Sequence, residues 1–235
     1  MEQSALIKEN LSFVHNEIKE ACQKAGRESS AVRLLLATKT VEPERIIQAI
    51  EAGETLIGEN KVQEYHDKAE ALSDIHCERH FIGHLQSNKI KEILQYVSCI
   101  QSVDSISLAE KLSAQLLKAN RTLDIYLQIN TSGEASKFGA DPGEAFQLME
   151  KVKTLGGLQV KGLMTIGLFS DQEVPVRKSY ALLRTLKEKG QREGLLPEGH
   201  LELSMGMSGD IEWAVLEGST MVRVGSAVFG KRNYA

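Results

Sequence analysis

Lys39 closes the run Arg33-Leu34-Leu35-Leu36-Ala37-Thr38-Lys39. The run reads as a buried strand, and its outgoing end is where barrel and open α/β enzymes place their chemistry. Partial desolvation there favours the neutral, nucleophilic form of an amine. The plainer alternative is a lysine whose stem lies on the rim and whose ammonium reaches water. A second cluster is Leu203-Ser204-Met205-Gly206-Met207-Ser208-Gly209-Asp210, read as the link from a seventh strand to the helix Ile211–Leu216. Its small residues let the backbone approach a ligand, and Ser208 or Asp210 can cap the helix. A third, Met221-Val222-Arg223-Val224-Gly225-Ser226, places Gly225 and Ser226 at the start of a short terminal helix. Two such loops after the last two strands of a barrel suggest a phosphate cup rather than two simple turns. A strand-end lysine beside a phosphate cup points to a Schiff base with a phosphorylated aldehyde. Two classes fit: a lysine-dependent aldolase acting on a sugar phosphate, and a pyridoxal 5′-phosphate (PLP) protein.

Other polar residues are weaker candidates. Arg223, expected near the end of the eighth strand, stays protonated under ordinary conditions and could bind phosphate or donate to an unprotonated ring nitrogen. Asn60 could touch a ligand, or cap the helix Lys61–Tyr65. The segment Asn130-Thr131-Ser132-Gly133-Glu134 is either a lid or a turn. His76, His80 and His84 are spaced four apart, which would align metal ligands on a helix. Arg79–Gly83 reads as a strand, however, where residues four apart lie far from one another. Separate local roles are therefore expected, and no metal.

The elements that must position these residues alternate along the chain. Residues 5–25 carry Leu6, Ile7, Leu11, Val14, Ile18 and Cys22 at helical spacing, with Gly26 as a stop. Strands are expected at Val32–Lys39, Thr55–Gly58, His80–Gly83, Val97–Val103, Leu123–Asn130, Val160–Ile166, His200–Ser204 and Thr220–Val224. Helical patterns lie between them, including Pro43–Ile50, Ser105–Ala119 and one opened by Asp141-Pro142-Gly143-Glu144. The strands are apolar on both faces, as buried parallel strands are. About eight strand–helix units predict an α/β fold: a single (β/α)8 TIM barrel over residues 1–235 with an extra N-terminal helix. The competing open sheet would draw its site mainly from strands near one switch point, whereas here polar residues follow nearly every strand.

Bulk properties narrow the function. The 235 residues suit one large domain, and the 42% hydrophobic and 26% charged fractions are those of a folded globular chain. A net charge of -4 gives no sign of nucleic-acid or anionic-membrane binding. No apolar run is long enough to span a bilayer, and the charged N-terminus does not read as a signal peptide. The three cysteines, Cys22, Cys77 and Cys99, form no CxxC pair and read as reduced thiols of a cytoplasmic protein.

The motifs together resemble the pyridoxal phosphate homeostasis proteins, the YggS/PROSC family, which share the barrel of bacterial alanine racemases. The resemblance runs from about Leu34 to Gly230. It rests on Leu36-Ala37-Thr38-Lys39-Thr40, Gly58-Glu59-Asn60-Lys61-Val62-Gln63-Glu64 and His80-Phe81-Ile82-Gly83-His84-Leu85-Gln86-Ser87-Asn88-Lys89. It continues through Ser102–Ser105, Gly162–Ile166, Leu203–Ser208 and Gly218–Gly225. Thr38 stands where the family usually has serine, and Arg79 where tryptophan is common.

The resemblance implies that Lys39 carries PLP as a Schiff base and that Arg223 faces the pyridine nitrogen. It places Ser204, Gly225 and Ser226 on the phosphate, Met205 and Ser208 nearby, and Asn60 beside the ring. An arginine cannot readily give up a proton, so it leaves the ring nitrogen largely unprotonated and the ring a weaker electron sink. The racemases add a β domain that supplies a tyrosine base, and here the chain ends at Lys231–Ala235, just past the expected barrel. The expectation is a cytoplasmic PLP carrier, with apo-enzymes as possible PLP acceptors, present as a monomer or weak dimer. A PLP enzyme with weak racemase activity is the alternative.

Overall fold

The computed structural model describes residues 2–230; Lys231–Ala235, invoked above for the end of the barrel, lie outside the described residues. Eight parallel strands close a barrel in chain order: β1 (Arg33–Ala37), β2 (Leu56–Glu59), β3 (Glu78–Phe81), β4 (Cys99–Val103), β5 (Leu123–Gln128), β6 (Leu158–Met164), β7 (Glu202–Met207) and β8 (Met221–Val224). The ring closes by pairing Leu35 with Arg223 and Leu36 with Val224. The expected barrel is therefore present, and the open sheet is not.

Helix α1 (Glu2–Lys24) precedes the barrel. It buries Ile7, Leu11, Val14, Ile18 and Cys22 of the residues at helical spacing, while Leu6 stays exposed. The outer layer continues with α2 (Pro43–Glu51), α3 (Val62–Lys68), α4 (Ile90–Ile93), α5 (Ile106–Lys118), α6 (Ala145–Lys153), α7 (Glu173–Arg192), α8 (Ile211–Leu216) and α9 (Ser226–Phe229). Helix α1 packs on α8, α2 and α9, so it covers the outside of the β8–β1 junction. Ser105 caps α5, its hydroxyl accepting from the Leu108 amide.

The period-two rule sorts each strand's side chains between two cores. Leu34 and Leu36 of β1, and Val222 and Val224 of β8, point outward beneath the helices. Leu35, Leu56, Cys99, Tyr126, Met164 and Met221 pack together inside the barrel. By the same alternation Leu203 and Met205 of β7 face the outer core, while Ser204 between them faces inward.

Three local expectations change. Asp141–Glu144 does not open a helix: Asp141 Oδ1 accepts from the Gly143 amide in a turn, and α6 begins at Ala145. Asn60 does not cap α3, whose N-cap position is Lys61 without a side-chain cap bond. The strand expected to end at Ser204 runs on to Met207, so Met205–Met207 is strand and not loop. The β7–β8 register shifts between Ser204 and Met207, and Gly206 there has φ of +97°. A Cβ on Gly206 would lie 2.5 Å from the Ala214 side chain, so glycine allows both the irregular strand and the close approach of α8.

Candidate functional site

At the C-terminal mouth of the barrel lies a cleft of about 530 Å³. Its walls include Lys39 from the turn after β1, Arg45 from α2, Ser208 from the β7–α8 loop, Arg223 from β8, and Gly225 with Ser226 beyond it. Lysine and arginine supply three cationic lining residues (Lys39, Arg45, Arg223) against one carboxylate, Glu42. Such a wall favours an anionic ligand.

Arg223 is buried, yet it forms part of the cleft wall. Its Nη1 donates to Ser204 Oγ at 2.8 Å and its Nη2 to the Thr165 carbonyl at 2.8 Å. Ser204 Oγ in turn donates to Gln101 Oε1 at 2.6 Å, and Gln101 Nε2 lies 2.7 Å from His80 Nδ1. The chain crosses the barrel interior from β8 through β7 and β4 to β3. Burial pushes the His80 imidazole down to about 3, with a smaller contribution from Arg33, so the ring is neutral and its Nδ1 accepts from Gln101. Burial also lowers the Arg223 guanidinium from its usual value, but arginine remains protonated at ordinary pH. The arginine is thus fixed in direction before any ligand arrives.

Two devices bring the loops to Lys39. Asp210 Oδ1 accepts from the Met207 amide at 2.6 Å, and its Oδ2 accepts from the Tyr180 hydroxyl at 2.7 Å. The aspartate therefore pins the β7–α8 loop instead of making the helix-cap bond expected of it. At Gly225 a Cβ would stand 2.9 Å from the Ala37 carbonyl oxygen. Only glycine lets the chain after β8 run this close to the end of the Lys39 strand.

Five of the sequence-predicted residues meet at the cleft: Lys39, Ser208, Arg223, Gly225 and Ser226. Ser204 and Met205 do not line it. Ser204 lies inside the barrel with its hydroxyl engaged by Gln101 and Arg223, and Met205 packs in the outer core. Asn60 also stands outside the lining, with its Oδ1 buried and unpartnered. The segment after β5 is a tied turn: Asn130 Nδ2 donates to the Glu134 and Lys137 carbonyls, and Lys137 Nζ reaches the Gly167 carbonyl at 2.6 Å. His84 stacks on Phe138 and lies 3.3 Å from Asp104, while His76 is exposed and His80 buried. Among the described residues no group of three or more His, Cys, Asp or Glu side chains could hold a metal ion, and no helix is long and apolar enough to cross a membrane.

Among the lining residues that escaped the sequence reading are Arg45 and Phe169. Arg45 offered a cue, since a cation in the first turn of a helix opposes the helix dipole and calls for a reason. The reason is Phe229: Arg45 Nη2 donates to its carbonyl and the guanidinium sits over its ring, 5.7 Å from the centroid. Phe169, which is 86% exposed on the cleft rim, carried no signal that set it apart from a loop residue.

The profile of the family described as alanine racemase, N-terminal domain, matches residues 10–233. A pyridoxal phosphate homeostasis protein of Aquifex aeolicus is 41% identical over 226 residues, spanning 96% of this chain and 98% of that protein. The chain belongs to the pyridoxal phosphate homeostasis protein family. Two solved structures extend the likeness to the family's barrel. An unknown protein from Bifidobacterium adolescentis superposes with a TM-score of 0.92 at 42% identity, over 97% of this chain and 96% of that one. PipY of Synechococcus elongatus, solved with PLP bound, superposes with a TM-score of 0.83 at 32% identity, over 95% of this chain and all of PipY. The departures from the family pattern fit their places in this member. Thr38 keeps a buried hydroxyl that donates to Glu59, and Arg79 donates to the Leu72 and Ile75 carbonyls behind β3, away from the cleft.

Proposed function

We propose that this protein binds PLP in the mouth cleft and holds it as a reversible Schiff base on Lys39, as a cytoplasmic carrier in PLP homeostasis. The observation that carries this reading is the meeting of Lys39 and Arg223 on one cleft beside the small residues Ser208, Gly225 and Ser226. The names of the relatives and the PLP in PipY support it. The residues suit the group: an amine for the aldehyde, cationic walls for the phosphate, and close backbone approach at Gly225. Bound PLP would contribute an aldehyde that exchanges with amines. Lys39 would be the residue that holds that aldehyde, with the amine at the cleft wall.

Ser208, Gly225 and Ser226 would hold the phosphate, and Arg223 would face the ring nitrogen. Ser204 would act through Arg223, and Asn60 would lie behind the cleft wall on the ring's side. An arginine at the ring nitrogen argues for holding the cofactor rather than for carbanion chemistry. Incubation with PLP, borohydride reduction and peptide mass spectrometry test the site. A phosphopyridoxyl group on Lys39, with loss of the visible absorbance in Lys39→Ala, is expected. Label on another lysine alone, or on none, refutes the assignment. Loss of α-deuterium from an added amino acid that depends on Lys39 would favour an enzyme over a carrier.

A further inference from the structure

Beneath the Lys39 turn lies a buried group of ionisable side chains that the cleft does not use. Lys68 Nζ donates to the Thr38 carbonyl at 2.9 Å and to Glu59 Oε1 at 2.7 Å. Thr38 Oγ1 donates to the same Glu59 oxygen at 2.7 Å. On the far side of Lys39, the Thr40 amide donates to Glu64 Oε1 at 3.3 Å. Thr40 has φ of +61°, a costly backbone conformation for a β-branched residue. The residues on both sides of Lys39 are thus tied to one cluster built from β2 and α3.

The cluster has a proton problem. Glu59 Oε2 and Glu64 Oε2 are both buried, and neither has a donor. The Glu64 carboxyl lies against that of Glu59. Two neighbouring carboxylates beside one ammonium would leave a net negative charge on oxygens that are shielded from water. One shared proton removes that charge and gives both oxygens a partner. The other groups around Glu59 do not supply it: the neighbouring Tyr65 hydroxyl donates to the His80 carbonyl, and the β3 partner in register is the uncharged Phe81.

We propose that Glu59 and Glu64 share one proton and, with Lys68, act as positioning residues that set the turn carrying Lys39. The effect on ligand rests on the reading of Lys39 given above; the shared proton and the held turn do not. Burial and the Glu64 carboxyl raise Glu59 to about 8, against the pull of Lys68 and Thr38. As pH rises through that value the proton passes to solvent, the two carboxylates repel, and the turn loosens.

The test uses the full chain with 13C-carboxyl glutamate and no added ligand. One glutamate resonance should titrate near pH 8 and should vanish in both Glu59→Gln and Glu64→Gln. Amide exchange at Lys39 and Thr40, corrected for intrinsic base catalysis, should quicken about tenfold through that pH in the native chain. Glu64→Gln should hold the turn without pH dependence, because its amide donates to Glu59 while its carbonyl accepts from Thr40. Glu64→Ala should lose the protection at every pH. Titration of Glu59 in the ordinary carboxylate range, or the same pH step in Glu64→Gln, overturns the proposal even if Glu64→Ala fails to fold. Borohydride labelling of the same samples with PLP is scored separately. Label away from Lys39 refutes the proposed function and leaves the shared proton standing.

Discussion

Arg223 donates to the Ser204 hydroxyl at 2.8 Å, and that contact makes the serine a support of the cleft and not a wall of it. Ser204→Ala removes the acceptor for Arg223 and leaves Gln101 Oε1 without its donor. A buried polar group left unmatched costs about 1–3 kcal/mol. Urea unfolding should show a loss of that size with an unchanged m-value.

Gly225→Ala tests the close approach to Lys39. Its Cβ would meet the Ala37 carbonyl at 2.9 Å, so the chain after β8 must back away from the end of β1. PLP affinity, measured by absorbance titration, should fall about tenfold, equivalent to roughly 1.4 kcal/mol. An unchanged affinity would show that the ligand does not read this spacing.

Gly206→Ala tests the irregularity of β7. Alanine there meets both a φ of +97° and the Ala214 side chain at 2.5 Å. Strained backbone and overpacking each cost about 1–3 kcal/mol, so the midpoint of thermal unfolding should drop by several degrees. Ala214→Gly in the same chain should recover the packing part and not the backbone part.

The buried His80 gives a pH signature. Its folded value of about 3 lies below the ordinary value of 6.5, so the unfolded chain takes up the proton first. Stability contributed by the neutral ring is complete above the unfolded value and is lost as pH falls from 6.5 toward 3. The slope from this one group is about 1.4 kcal/mol per pH unit. In His80→Gln, urea unfolding from neutral to mildly acid pH should lose that component of the slope.

The barrel was legible because each strand announced itself twice, by its apolar run and by the polar residue that followed it. Lys39 could be found because it closes an apolar strand run, and Arg223 because it is the lone charge in Thr220–Val224. The continuation of β7 past Ser204 was hidden for one reason. The Met-Gly-Met context looks like loop, and the positive φ at Gly206 that lets it remain strand is not written in any single residue. The Glu59–Glu64–Lys68 cluster was invisible for another. Glu64 and Lys68 lie on an ordinary-looking helix, and only the three-dimensional path of β2 brings Glu59 against them.

The cleft joins the two ends of the barrel: Lys39 follows the first strand and Arg223 belongs to the last. The lysine is synthesised early and waits for almost the whole chain. Until β8 docks beside β1, Arg223 is not in place and Gly225 does not reach Ala37. A nascent chain or a truncated fragment therefore has Lys39 but not the completed cleft. Under the function proposed above, only a completed molecule would take up PLP, and the bound ligand would bridge the β8–β1 seam and stabilise the closed ring.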